Sequence, residues 1–266
     1  MFRIRIQNKK KCIWYCSAVV SFLLFLLLLG WTNHLANTQD AQQMAGRWSE
    51  KKDVAQISCF FSSKAEVTED TIQSFEYSLK NVLQEASITE TSENPSARLW
   101  VDAYSADGKI TLVNGKNTLD ANAIGIGGDF FMFHPLKLIT GAYFSGNDLM
   151  QDYCIIDQDA AWQLFGSNDV VGMTVYIGNV PHIVTGVVQR PDSRMDKAAG
   201  LNSTVVYVSY ETLSAYGTNN GINHYEIVMP NPVDEFAYGK VKEGIGIDEK
   251  NVEIVENSRR YSLPNR

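Results

Sequence analysis

Four histidines, His34, His134, His182 and His224, are the side chains best suited to ligate a transition metal or to move a proton near neutral pH. Locally built metal sites pair such ligands as His-x-x-x-His or Cys-x-x-Cys, and neither spacing occurs. The expectation is four surface or packed histidines and no metal ligand. The acid pairs Glu69/Asp70 and Asp157/Asp159 could serve as general acid and base, but each sits where a helix begins, and capping accounts for them. Gly125-Ile126-Gly127-Gly128 lacks the spacing of a phosphate loop. Gly115-Lys116 has no glycine five residues before it and Asn117 after it, so it is not a Walker loop. No Gly-x-Ser-x-Gly elbow is present. Asn202-Ser203-Thr204 matches a glycosylation acceptor, relevant only in a host that glycosylates. The residues therefore nominate no catalytic, cofactor-binding or metal site, and the chain reads as a non-enzyme.

What must be positioned is a body rather than a reaction centre. The 266 residues are 45% hydrophobic and 11% aromatic, too apolar for a disordered chain and enough for a real core. Only 4 cysteines and 7 prolines argue against disulfide-scaffold and collagen-like classes. A net charge of −7 gives nucleic-acid binding little support.

The compartment is read from the first thirty residues. Arg3, Arg5, Lys9, Lys10 and Lys11 form a basic lead over residues 1–11, and no acidic residue joins them. Residues 12–31 carry no charge, and about twenty residues at 1.5 Å rise match a hydrocarbon core of about 30 Å. Trp14, Tyr15 and Trp31 stand near its two ends, where aromatic rings favour the headgroup boundary. The positive-inside rule puts the N-terminus in the cytoplasm and the bulk of the chain outside a cell membrane crossed once. A cleaved signal peptide is the alternative, disfavoured by the length of the apolar run. Cys59 and Cys154 fall in the exported part, where a disulfide is permitted; two small buried hydrophobes is the other reading.

Residues 32–52 are polar and suggest a stalk or a continuation of the helix. Residues 54–61 suggest a strand. Thr68 caps a helix carrying Ile72, Phe75, Leu79, Val82, Leu83 and Ala86 at helical spacing and ending before Asn94-Pro95. Residues 98–105 suggest a strand, Ala106-Asp107-Gly108-Lys109 a hairpin turn, and residues 110–113 the return. Residues 153–156 form a strand; Asp157 caps a helix that Gly166 ends in the left-handed conformation. Gly178-Asn179 joins strands at 173–177 and 182–188, and residues 190–200 are a polar loop. Strands at 204–208, 222–229 and 252–255 alternate with a helix capped by Ser209 and ending at Gly217, and a helix opened by Asn231-Pro232. Strand, helix, strand at both ends of a β-rich middle predicts an α+β fold, a split αβ unit with an insert.

One stretch is more specific. Residues 138–149, Leu-Ile-Thr-Gly-Ala-Tyr-Phe-Ser-Gly-Asn-Asp-Leu, lead to Cys154-Ile155-Ile156-Asp157; Leu164-Phe165-Gly166 follows. Then come Gly172-Met173-Thr174-Val175-Tyr176-Ile177-Gly178 and Val184-Thr185-Gly186-Val187-Val188. Over about 50 residues this order resembles the MacB-like periplasmic core domain of FtsX-like ABC transporter permeases, with Ala142 and Met173 where the family usually has Arg and Lys.

The resemblance implies a porter-like subdomain at 53–105 and 220–258, interrupted by a β-rich insert at about 106–219, with 259–266 as a tail. It implies a non-catalytic permease domain that pairs with a second permease protomer. That pair would dock a cytoplasmic ABC ATPase subunit and act on drugs, peptides or lipoproteins by export or mechanotransmission. Family permeases carry three more membrane helices after this domain, and the chain stops at Arg266, so a truncated permease and a standalone anchored module both stay open. The other functional reading is an anchored binding or sensing module for a peptide or protein partner.

Overall fold

The computed structural model describes residues 9–37, 40–49, 53–89, 98–190, 198 and 203–259. Arg3, Arg5, the expected stop at Asn94-Pro95, most of the polar loop at 190–200, Asn202 and the tail from residue 260 lie outside the described residues.

Helix α1 (Lys9–Asn37) overruns the expected 12–31 at both ends. Its Ile13–Leu35 stretch is long and apolar enough to cross a membrane, and all its side chains are exposed. Apolar on every side, it has no single stripe to bury against a core, which suits a lipid surround. Within the segment read as a stalk, helix α2 (Met44–Trp48) is docked on the body. Met44 and Ala45 are buried, and their N–H groups donate to Gln56 Oε1 at 3.0 and 3.4 Å.

The body is α+β, as the sequence suggests. Its strands are β1 (Val54–Phe61), β2 (Val101–Asn114), β3 (Asn117–Gly128), β4 (Leu138–Gly141), β5 (Tyr153–Asp157), β6 (Thr174–Ile177), β7 (Val180–Val188), β8 (Val205–Ser209), β9 (Thr218–Asn219), β10 (His224–Pro230) and β11 (Val252–Glu256). They hydrogen-bond in the order β11-β1-β10-β2-β3-β8-β5-β7-β4, with β9 on β2 and β6 on both β2 and β7. The β6 link closes a circuit, β2-β3-β8-β5-β7-β6-β2, so the second half of β2 belongs to a small barrel-like ring. Its first half, Val101 to Ser105, pairs with β10 in an open antiparallel sheet.

Helix α3 (Glu69–Glu85) covers one face of that open sheet and buries Ile72, Phe75, Leu79 and Leu83. The last helix, separated from α3 in sequence but beside it in space, runs Phe236–Gly244 and is α7 once α4 (Phe130–Phe133), α5 (Gln158–Phe165) and α6 (Tyr210–Tyr216) are counted. The opposite face carries a second apolar cluster of Met44, Val101, Ala103, Phe130, Phe133, Phe144 and Val228. Phe144, from the family-like stretch, thus fills a core.

Several local expectations hold. Strand β1 has the expected bounds; Asp157 Oδ1 accepts from Ala160 N–H at 2.7 Å and caps α5; Gly166 ends it at φ +73°. Ser209 Oγ accepts from Thr212 N–H at 3.1 Å at the start of α6, and Gly178-Asn179 joins β6 to β7.

Two expectations fail. The hairpin at Asp107-Gly108 is absent, because β2 runs straight through it and turns at Gly115-Lys116, with Gly115 at φ +60°. Gly108 instead makes room: a Cβ there would collide with the Thr218 carbonyl and the Leu213 side chain. The last helix begins at Phe236 rather than Pro232, although Asn231 Oδ1 still accepts from Ala237 N–H at 3.0 Å.

Candidate functional site

On β10 the side chains alternate between faces, so His224, Glu226 and Val228 share one and Tyr225, Ile227 and Met229 the other. Glu226, 3% exposed, lies on the face away from α3, opposite Ser58 of β1 and Ala103 of β2. Its Oε1 accepts from Ser58 Oγ at 2.7 Å and from Gln56 Nε2 at 3.4 Å. Ser58 is held in turn by Asn257 Nδ2 at 2.7 Å. The other oxygen, Oε2, lies 2.6 Å from His134 Nε2. His134 follows α4 directly, and its N–H donates to the Phe130 carbonyl at 2.9 Å. His224 Nε2 comes within 3.8 Å of Glu226 Oε1 yet is buried without a hydrogen bond. One donor atom from each of the three residues lies within 4.8 Å of the others.

Aromatic neighbours fix both rings. Phe60 stacks on His224 with centroids 4.6 Å apart, and Phe130 lies 4.7 Å from His134. Burial alone would push the Glu226 carboxyl up, but the hydrogen bond and charge of His134, the charge of His224 and the Ser58 hydroxyl outweigh it, and it sits below the ordinary carboxylate value. Burial pulls His224 down despite Glu226.

The other histidines are unlike these. His34 lies exposed in α1. His182 on β7 is satisfied: Nδ1 donates to the Val180 carbonyl at 3.0 Å and Nε2 lies 3.1 Å from Thr212 Oγ1, with burial pulling it down. Nothing in the sequence spacing could have joined His134 to His224. The one readable signal was His224-x-Glu226 inside a strand, where alternation forces both onto one face.

The remaining nominated residues serve the architecture. Asp157 Oδ2 accepts from Arg190 Nη2 and from Val205 N–H, each at 3.1 Å, and Arg190 Nη1 also reaches Asp159 Oδ2 at 2.5 Å. Glu69 and Asp70 lie in the first turn of α3. Gly125 to Gly128 end β3 rather than forming a loop, and the Tyr104 ring occupies the space a Cβ on Gly127 would need. Cys59 and Cys154 are free, buried in β1 and β5, and burial pushes both thiols up to about 12.

On the opposite face, Asp102 of β2 accepts from Tyr225 Oη at 3.1 Å and shares a hydrogen bond with Glu76 of α3. Burial, then the Asp102 charge, pushes Glu76 up to about 8; burial raises Asp102 as well. A cavity of about 470 Å³ adjoins Asp102, lined by Lys80, Arg98 and Trp100 among others.

The chain matches the MacB-like periplasmic core domain family over residues 21–254 and belongs to that family. It is 32% identical over 99 residues to the macrolide export ATP-binding/permease protein MacB of Chromobacterium violaceum, covering 36% of this chain and 15% of that protein. It is 30% identical over 98 residues to the protein of the same name from Pasteurella multocida, covering 36% and 14%. The matched part is thus about one seventh of the length of these relatives. Among solved structures, the periplasmic region of MacB from Actinobacillus actinomycetemcomitans overlaps 76% of this chain and 88% of its own, at 20% identity and a TM-score of 0.47. The extracellular domain of the noncanonic ABC-type transporter YknZ from Gram-positive bacteria overlaps 75% and 99%, at 18% identity and a TM-score of 0.45. At these values the overlaps identify no function.

Proposed function

We propose that the chain is the non-catalytic, extracytoplasmic domain of an ABC-type permease, anchored by α1 with its N-terminus in the cytoplasm. In this reading it pairs with a second permease protomer and is coupled to a separate cytoplasmic ATPase. The observation that carries the reading is the family match, which begins inside α1 at residue 21 and runs to residue 254 in β11. The later part of the anchor helix and the body therefore fall within one family unit.

The architecture offers a mechanical rationale. Strand β2 is shared: residues 101–105 pair with β10 in the open sheet and residues 112–113 pair with β6 in the ring. We take the first to be the porter-like part, 53–105 with 220–258, and the second to be the β-rich insert, about 106–219. One stiff strand joining both would pass a displacement from the anchor side to the ring without a hinge. Drugs, peptides or lipoproteins are the substrate classes proposed.

The test is purification of the full chain in mild detergent from its native membranes. Vanadate-sensitive ATPase activity that co-purifies, and disappears when α1 is replaced by an unrelated membrane helix, is the expected result. A preparation that never carries ATPase activity would overturn the coupling.

A further inference from the structure

Glu226, His134 and His224 present two imidazoles and one carboxylate to a common point, and the polar atoms there are incompletely used. His224 Nε2 is buried without a hydrogen-bond partner, and Glu226 Oε2, equally buried, meets His134 Nε2 at 2.6 Å. Leaving buried polar atoms unsatisfied is costly, and each such atom in a folded protein calls for a reason. From this arrangement we infer that His134, His224 and Glu226 form a binding site for a divalent transition cation, Zn²⁺ foremost, with a fourth position open to water.

The donor set selects the cation. Two imidazole nitrogens with one carboxylate suit Zn²⁺ and its neighbours, whereas Mg²⁺ and Ca²⁺ demand oxygen ligands. Ligands at about 2.0–2.1 Å in a tetrahedron stand roughly 3.3 Å apart. His134 Nε2 and Glu226 Oε2 would therefore part slightly from 2.6 Å, and His224, whose donor atom lies within 4.8 Å of the other two, would close in. These are side-chain adjustments on a fixed backbone.

The supporting groups are those a metal site needs. Ser58 and Gln56 orient Glu226 through one oxygen and leave the other facing the histidines. Phe60 and Phe130 hold the two rings, so little rotamer freedom is lost on binding. The side chains of His134 and His224 are 24% and 20% exposed, so the rings border solvent while Glu226, at 4%, lies beneath them. The ion would fasten the α4 turn to the centre of β10, two segments ninety residues apart in sequence. A structural clamp follows; nothing here requires turnover.

The experiment uses the full chain in detergent, stripped with a chelator that is then removed, and titrated with Zn²⁺ against a chromophoric competitor. One Zn²⁺ per chain is expected, with a rise in melting temperature that Mg²⁺ does not reproduce. Co²⁺ in its place should give the intense visible bands of a four-coordinate site. His134→Asn and Glu226→Gln should each weaken Zn²⁺ binding by about tenfold or more, whereas His34→Ala should leave it unchanged. His134 is only half-buried, so its variant is safer for folding than Glu226→Gln, and circular dichroism of the metal-free variants checks it. No binding at millimolar Zn²⁺, or binding that survives the His134→Asn/His224→Asn double variant, would overturn the site.

Discussion

Strands β2 and β10 bury acids on both of their faces, and the two faces treat them oppositely. Towards α3, Asp102 and Glu76 meet each other and Tyr225, which only donates a hydrogen bond. Desolvation and mutual repulsion favour the proton there, and Glu76 is pushed up to about 8. Towards α4, Glu226 is more buried still, yet two histidines and a hydroxyl keep it below its ordinary value. Depth of burial therefore does not fix the charge state of an acid; the chemistry opposite it does. One face is built to hold a proton and the other to hold negative charge.

The largest test of that contrast is Glu226→Ala. Removing the carboxylate leaves Ser58, Gln56 and His134 without their buried partner, and a loss of about 1–3 kcal/mol at pH 7 is expected in urea unfolding of the metal-free chain. A loss within experimental error would mean Glu226 is not held by its neighbours.

Gly166→Val provides a reference far from both faces. Forcing a β-branched residue to φ +73° should cost about 1–2 kcal/mol, and equally at pH 5 and pH 8. A cost that depends on pH would show that global charge, not the local acids, governs the profile.

Glu76→Gln should act in the opposite sense to Glu226→Ala. A carboxyl whose folded value is raised contributes stability that is complete below its unfolded value and lost as pH climbs through the folded value. For Glu76 that window runs from 4.5 to about 8. The glutamine variant escapes the loss, so it should be more stable than the parent by about 1 kcal/mol at pH 8 and no more stable near pH 4. Destabilisation at pH 8 would mean Glu76 is charged and paired. The smallest expected effect concerns the thiols: Cys59 and Cys154 should ignore a disulfide reagent in the native state and react on unfolding.

Elements whose signals are local were legible in the sequence. Strand β1, the Asp157 and Ser209 caps and the Gly166 stop each depend on a few adjacent residues, and each stands where the sequence puts it. Asp107-Gly108 misled because a glycine can answer a distant need; Thr218 and Leu213 approach it from more than a hundred residues away. Strand β4 leaves little trace in the sequence, being four residues long and, among the described residues, paired with β7 alone. The histidine cluster was hidden for the same reason. His134 reaches Glu226 only because α4 folds onto β2, a long-range outcome that no spacing rule encodes.

Exposure of the body outside the membrane is the claim on which the permease reading rests, and one labelling experiment tests it. Leu149 is fully exposed between β4 and β5. In a chain with Cys12 and Cys16 replaced by Ser, a Leu149→Cys variant should react completely with a membrane-impermeant maleimide added to intact spheroplasts. Labelling that appears only after the membrane is permeabilised would place the body in the cytoplasm and contradict the account.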